Sequence, residues 1–377
     1  MKPIYLDFNT TTPLAPSVGE AMQPLWQEHF LLPSQGNAQG RALGELIVRA
    51  REEVAAMVGC EPYEIVFTSG ATEANNLAIL GLCRSWSERA GAPGEIIVSA
   101  TEHDSVLSTA ESLTKEGWTV RQAPVGRDGV TDPAAIERML TKSTVLVCLQ
   151  AACGISGAMQ PVRQVADICH ARRVHLHCDA AQVAGKYPLD IGNLRADTLA
   201  LSSHKMYGPK GVGALYVRRG LQLAPIFHGE SQEMGLRPGA GNLPGVVGMG
   251  AAARMAHLGG DAACEAMARL RDRFEARVTG AIKPTPVVLS QGSTRLPNTS
   301  LISFPGKQAL EFDSPNCDVV LAQPRCSKPA DWMTRCLLAM GIPEREVGRC
   351  VRVSLGWTSS HDSIDAAAGE FIGMFSD

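Results

Sequence analysis

The sequence contains no Cys-x-x-Cys pair, although 11 cysteines are spread over its 377 residues. That removes a spacing shared by many zinc sites and thioredoxin-like redox motifs. The count is odd, and a chain of this length needs no disulfide framework to stabilise it. Most cysteines sit in apolar runs, as Cys148 does in Val145-Leu-Val-Cys-Leu149. They read as small, reduced packing residues of a cytoplasmic protein. No apolar run approaches the ~20 residues of a membrane span, so no membrane association is expected. Blocks of like charge are missing too, and a net charge of −3 gives no footprint for nucleic acid. The first residues, Met1-Lys-Pro-Ile-Tyr-Leu-Asp7, turn polar too early for a signal peptide. There is no internal repeat and no low-complexity tract.

What is present is an ordinary globular composition, 45% hydrophobic and 19% charged. Short β-branched apolar runs alternate with amphipathic stretches. The strand candidates are Glu64–Thr68, Glu95–Ser99, Thr144–Leu149, Val174–Cys178, Thr198–Leu201 and Ala214–Val217. Leu43, Leu46, Ala50, Val54 and Val58 recur at helical spacing, as do Val162, Val165, Ala166 and Cys169. This rhythm predicts βαβ units and a mostly parallel sheet. After about residue 255 the texture changes. A charged helix over about Ala262–Ile282 precedes Pro-rich segments, short strands at Thr299–Phe304 and Val351–Leu355, and a closing helix over about Ser363–Phe375. The expected division is a large α/β domain, residues 16–255, and a smaller α+β domain, residues 1–15 plus 256–377.

Three segments offer chemistry. In Thr68-Ser-Gly-Ala-Thr-Glu73 a strand gives way to a helix through small residues. Backbone N–H groups and the helix dipole there suit an anion such as phosphate, although a plain capped helix start has the same look. In Val174-His-Leu-His-Cys-Asp-Ala-Ala-Gln182, Asp179 closes a buried strand and calls for a cationic partner. The same edge of an open α/β sheet is where ligands bind. His175 and His177 share a strand face, which fits either a metal site or packed core histidines. In Ala200-Leu-Ser-Ser-His-Lys-Met-Tyr-Gly-Pro-Lys-Gly211, Lys205 follows an apolar strand. Burial would neutralise it and make it a nucleophile toward carbonyls; the plain alternative is an exposed loop lysine. Gly208–Gly213 lacks a following helix and is discounted as a phosphate loop. Together the three segments are the parts needed to hold pyridoxal 5′-phosphate: a Schiff-base lysine, an aspartate for the pyridinium nitrogen and an anion site.

With these residues in view the chain resembles the cysteine desulfurases, within the class V aminotransferase group of fold-type I pyridoxal-phosphate enzymes. The likeness runs through Tyr5-Leu-Asp-Phe-Asn-Thr-Thr-Thr-Pro13, Ser69-Gly-Ala-Thr-Glu-Ala-Asn-Asn76, Glu102-His103 and Asp179-Ala-Ala-Gln-Val-Ala-Gly-Lys186. It continues through Ser202–Gly211, Gln232-Glu-x-Gly-x-Arg237, Asn298-Thr-Ser300 and Val351-Arg-Val-Ser-Leu-Gly356. It implies a fold-type I transferase with a large, mostly parallel seven-stranded sheet and a smaller α+β domain carrying the Cys326 loop and Arg352. It also implies a homodimer and a sulfur-acceptor protein as partners. Lys205 would hold the cofactor, Asp179 would pair with its ring nitrogen, and Gln182 would contact its ring hydroxyl. His103 would stack on the ring and shuttle protons. Ala71, Thr72, Ser202 and His204 would hold the phosphate. Arg352 would clamp the substrate carboxylate. Cys326 would be the nucleophile that takes sulfur, leaving a persulfide and alanine.

Several positions depart from the resemblance. Cys153-Gly-Ile-Ser-Gly157 stands where the family has Asn-Asn-Glu-x-Gly, so Gly154 replaces the Asn that would reach the ring hydroxyl. Cys153 therefore lies in an altered cofactor loop. Leu32 replaces a carboxylate-binding Asn. Ala240 replaces the Thr that would reach the neighbouring subunit's phosphate, and Gln323-Pro-Arg325 replaces the small residues before the nucleophile. Arg325 would depress the pKa of Cys326 or attract an acidic group. The cofactor side reads as intact and the substrate side as rebuilt. The expectation is C–S cleavage of L-cysteine, or of a selenium or sulfinate analogue, with Cys326 as acceptor. The alternative is a pyridoxal-phosphate lyase, epimerase or cyclase on a modified amino acid, without a persulfide step.

Overall fold

The computed structural model describes residues 3–33, 35–308, 319–324 and 331–375. Its centre is a seven-stranded sheet in the order β2-β8-β7-β6-β5-β3-β4. The strands are β2 (Ile65–Thr68), β3 (Glu95–Ser99), β4 (Thr119–Ala123), β5 (Thr144–Cys148), β6 (His175–Asp179), β7 (Thr198–Ser202) and β8 (Gly213–Val217). Only β8 runs against its neighbours, pairing antiparallel with β2 and β7. The C-terminal ends of β2, β3, β5, β6 and β7 therefore share one edge. β3, β5 and β7 are wholly buried, as their near-continuous apolar runs require when helices cover both faces. β4 escaped the sequence reading because it is the half-exposed edge strand, with Arg121 and Gln122 where core strands carry Val or Leu.

A second sheet is antiparallel, in the order β12-β10-β9, from β9 (Val287–Leu289), β10 (Thr299–Ser303) and β12 (Cys350–Ser354). A short parallel pair joins β1 (Ile4–Tyr5) to β11 (Val319–Val320). Leu6 packs with Phe274, Phe304, Val353, Ile364 and Phe371 in a separate apolar cluster, so the N-terminal strand and the C-terminal third share a core. The closing helix spans His361–Gly373 and starts in a capping box built by Ser360 and Ser363.

The helix expected over Ala262–Ile282 is the second half of a single 39-residue helix, Leu243–Ala281, which crosses residue 255. Five glycines between 245 and 260 hid its first half. Two of them serve packing: a Cβ on Gly250 would lie 2.6 Å from Cα of Ala50, and one on Gly248 would press into the Met22 side chain. Glycine here lets this helix cross closely over helix Ala38–Val58, and that burial outweighs its poor helix propensity.

Candidate active site

One cavity of ≈ 560 Å³ opens at the shared strand edge. Ala71, Thr72, His103, Asp179, Gln182, Ser202, His204 and Lys205 all line it. Each arrives within a few residues of a strand end. After β2 the chain turns through Gly70, at φ 154°, into helix Ala71–Ala90, whose free N–H groups face the cavity. Gly213, at the start of β8, must be glycine: a Cβ would come 2.6 Å from Cα of Gly70.

Asp179 ends β6 and is 8% exposed. Its Oδ1 accepts from the Ala181 N–H (2.9 Å) and its Oδ2 from Nδ2 of Asn75 (2.9 Å). Asn75 is held in turn. Its Oδ1 lies 2.9 Å from Nε2 of His177, and Nδ1 of His177 lies 2.8 Å from the Thr198 hydroxyl. Asn75 Nδ2 also donates to the Ser105 hydroxyl at 2.8 Å. Since the amide oxygen only accepts, His177 carries its proton on Nε2. Burial lowers its pKa to about 4, so the ring stays neutral near pH 7. Both ring nitrogens are thus engaged, and His177 is an orienting core histidine. His175 faces Asp197 instead, at 3.7 Å. Among the described residues no group of three metal-ligating side chains converges.

His103 caps helix Asp104–Ser112: its Nδ1 accepts from the Ser105 N–H at 3.1 Å. A neutral His103 therefore bears its proton on Nε2. Burial lowers its pKa, with Lys205 pushing the same way. Lys205 follows β7. Burial drops its pKa to about 8, against the pull of Asp179, which favours the charged form. Burial and the nearby lysines lower His204 to about 4.

Gln182 is held from behind. Nζ of Lys186, a residue 3% exposed, donates to Oε1 of Gln182 (2.9 Å) and to Oδ1 of Asn9 (3.0 Å). The Gln182 amide nitrogen donates to the Asn9 carbonyl at 3.1 Å, which leaves its second N–H for a ligand. Burial drives the Lys186 pKa well down. Asn75, His177 and Lys186 were not singled out from sequence for these roles, since Asn75 meets His177 from 102 residues away and Lys186 meets Asn9 from 177 residues away; only the Lys186–Gln182 contact is local.

Arg352 does not line this cavity. It is 3% exposed, pairs with Asp7, and donates to the Thr10 hydroxyl (2.8 Å) and the Gly154 carbonyl (2.9 Å). Thr10 does line the cavity, so the guanidinium sits directly behind its wall. Leu32 and Ala240 line a neighbouring hollow that meets the cavity at Ser69 and Gly211. Cys153 is fully buried beside Cys336. Hydrogen bonds from Cys336 and Ser156 lower its pKa to about 6, whereas burial drives the Cys336 thiol up. Cys326 and Arg325 lie outside the described residues.

An anion-binding helix start, a buried carboxylate for a ring nitrogen, an imidazole for a ring face and an amine of lowered pKa match pyridoxal phosphate group by group. Sheet order, strand direction and this donor set define a fold-type I pyridoxal-phosphate transferase. Residues 4–366 match the family Aminotransferase class-V. The cysteine desulfurase IscS of Dictyoglomus turgidum is 36% identical over 364 residues, covering 95% of this chain and 91% of its own. The cysteine desulfurase of Mus musculus is 33% identical over 378 residues, covering 99% and 81%. A solved structure of a NifS-like protein superposes with a TM-score of 0.91 at 29% identity, covering 99% of both chains. The chain belongs to the class V aminotransferase family and is a pyridoxal-phosphate-dependent member of its cysteine desulfurase group.

Proposed function

We propose that the protein cleaves the C–S bond of L-cysteine and passes the sulfur to the Cys326 thiolate. The convergence of Lys205, Asp179, His103 and the Ala71–Ala90 helix start on one cavity carries this reading. The cofactor, when bound, supplies the electron sink that stabilises negative charge at the substrate carbons. Lys205 holds it covalently, and a pKa near 8 leaves enough neutral amine for that at physiological pH. Asp179, oriented by Asn75, pairs with the ring nitrogen. Ala71, Thr72, Ser202 and His204 would take the phosphate. Gln182 offers its remaining N–H to the ring hydroxyl. His103 would cover the ring face, with Nε2 free of the Ser105 contacts and able to carry a proton. The stoichiometry balances: L-cysteine plus Cys326 thiol gives L-alanine plus the Cys326 persulfide. Arg352 is the proposed carboxylate clamp, and reaching the substrate requires it to exchange Asp7 for the incoming carboxylate.

Incubation with L-cysteine should release alanine and add one sulfur to the peptide carrying Cys326. Cys326→Ser should abolish both. Undiminished alanine release by that variant would contradict the assignment and favour a lyase without a persulfide step.

We further propose a homodimer in the cytoplasm that hands sulfur to an acceptor protein. Exposed Leu32 and Phe227 around the Ala240 hollow support the dimer. Cysteines outside any disulfide, such as Cys83, Cys148 and Cys178, support a reducing compartment. Sedimentation at twice 40.1 kDa is expected, and a monomer would contradict the dimer. We draw the large domain over residues 16–255 and the small one over 1–15 plus 256–377. The separate cluster around Phe274 and Phe371 supports that division, with helix Leu243–Ala281 shared by both.

A further inference from the structure

We propose that Trp332 is a specificity-determining residue: its indole takes the room that a side chain at position 154 would need and closes the cavity to bulky substrate side chains. This rests on the reading of the cavity as a cofactor and amino-acid site.

Trp332 opens helix Trp332–Ala339, which Asp331 caps by accepting from the Thr334 N–H at 3.1 Å. The indole turns toward the cavity it lines. Its Nε1–H donates to the Thr101 carbonyl at 3.3 Å, and its ring stands edge-on to His103, with centroids 4.7 Å apart at 78°. That arrangement is a favourable aromatic geometry, and both contacts hold the indole on the His103 side.

Gly154 faces it. A Cβ there would lie 2.7 Å from Cη2 of Trp332 and 2.7 Å from Nε2 of Gln182, closer than carbon tolerates. None of the three has room to give. Gln182 is fixed by Lys186 and Asn9. The Gly154 carbonyl is anchored by Arg352 (2.9 Å) and by Nδ2 of Asn9 (3.1 Å), so the backbone cannot retreat. Position 154 and the indole therefore compete for one space. The indole presents a flat apolar wall in that space. A wall of this kind admits a short side chain ending in a soft, polarisable atom and crowds out longer ones. The substrates selected are small sulfur- or selenium-bearing amino acids.

The holoenzyme would be titrated with the unreactive probes L-alanine and L-norleucine, following the cofactor's visible absorption. Trp332→Ala should tighten norleucine binding about tenfold and leave alanine within about twofold. Trp332→Phe should fall between. An unchanged norleucine-to-alanine ratio would overturn the proposal. A second measurement uses thermal unfolding of the cofactor-free protein and does not depend on function. Gly154→Ala should lower the midpoint in the native background and by measurably less in Trp332→Ala or Trp332→Phe, the Gln182 contact keeping part of the loss; additive shifts would overturn the shared space. If the wild type responds to neither probe while the unfolding shifts remain coupled, the functional reading and the substrate claim fall and the packing finding stands.

Discussion

The wall of the cavity that carries Ala71, Asp179 and Lys205 and the wall that carries Gly154 and Trp332 are built by different means. On the first, each of these groups lies at a strand end of the central sheet or at most three residues beyond it, and Asp179 is backed by the buried chain Thr198–His177–Asn75–Asp179. In the proposed reading its groups meet the fixed chemistry of a cofactor. The second brings together residues 178 positions apart through contact of a glycine with an indole. In the proposed reading its shape meets the variable part of a substrate. The first wall therefore depends on residue type, whereas the second depends on paired volumes.

The largest break in that contrast is on the first wall. Lys205→Ala should cut desulfuration at least about 10³-fold, measured as alanine release. Asp179→Asn should cost about 10²-fold, because it removes a charge positioned for the transition state while keeping the shape. The contrast sharpens with pH. Only the neutral Lys205 amine attacks an aldehyde, and its pKa lies near 8. Reattachment of pyridoxal phosphate to cofactor-free protein should therefore quicken about tenfold from pH 7 to pH 9 and then level off. In Asp179→Asn that midpoint should move down, since the carboxylate that favours the charged amine is gone. The smallest effect is on stability. Asn75→Ala leaves His177 and Asp179 each short of one buried partner, and the unfolding midpoint should fall by about 4 °C.

Strand-end residues were legible because a short, mostly buried run ends in a polar residue and the chemistry sits at or just beyond that end. Asp179 and Lys205 are of that kind. Edge strand β4 was not, since exposure replaced its apolar alternation with Arg121 and Gln122. Glycines chosen for close packing against Ala50 and Met22 disguised half of a long helix. Gly154 was visible as a departure, but its cause was not. Trp332 looks like any helix-start residue until the fold sets it against the loop. Arg352 was found by resemblance, and only the structure shows Asp7 already on it.

The most direct test of the site is chemical. Holoenzyme reduced with borohydride and digested should carry the cofactor's mass on the peptide containing Lys205 alone. Label on Lys186 or Lys210, or no label on a protein saturated with pyridoxal phosphate, would contradict the account.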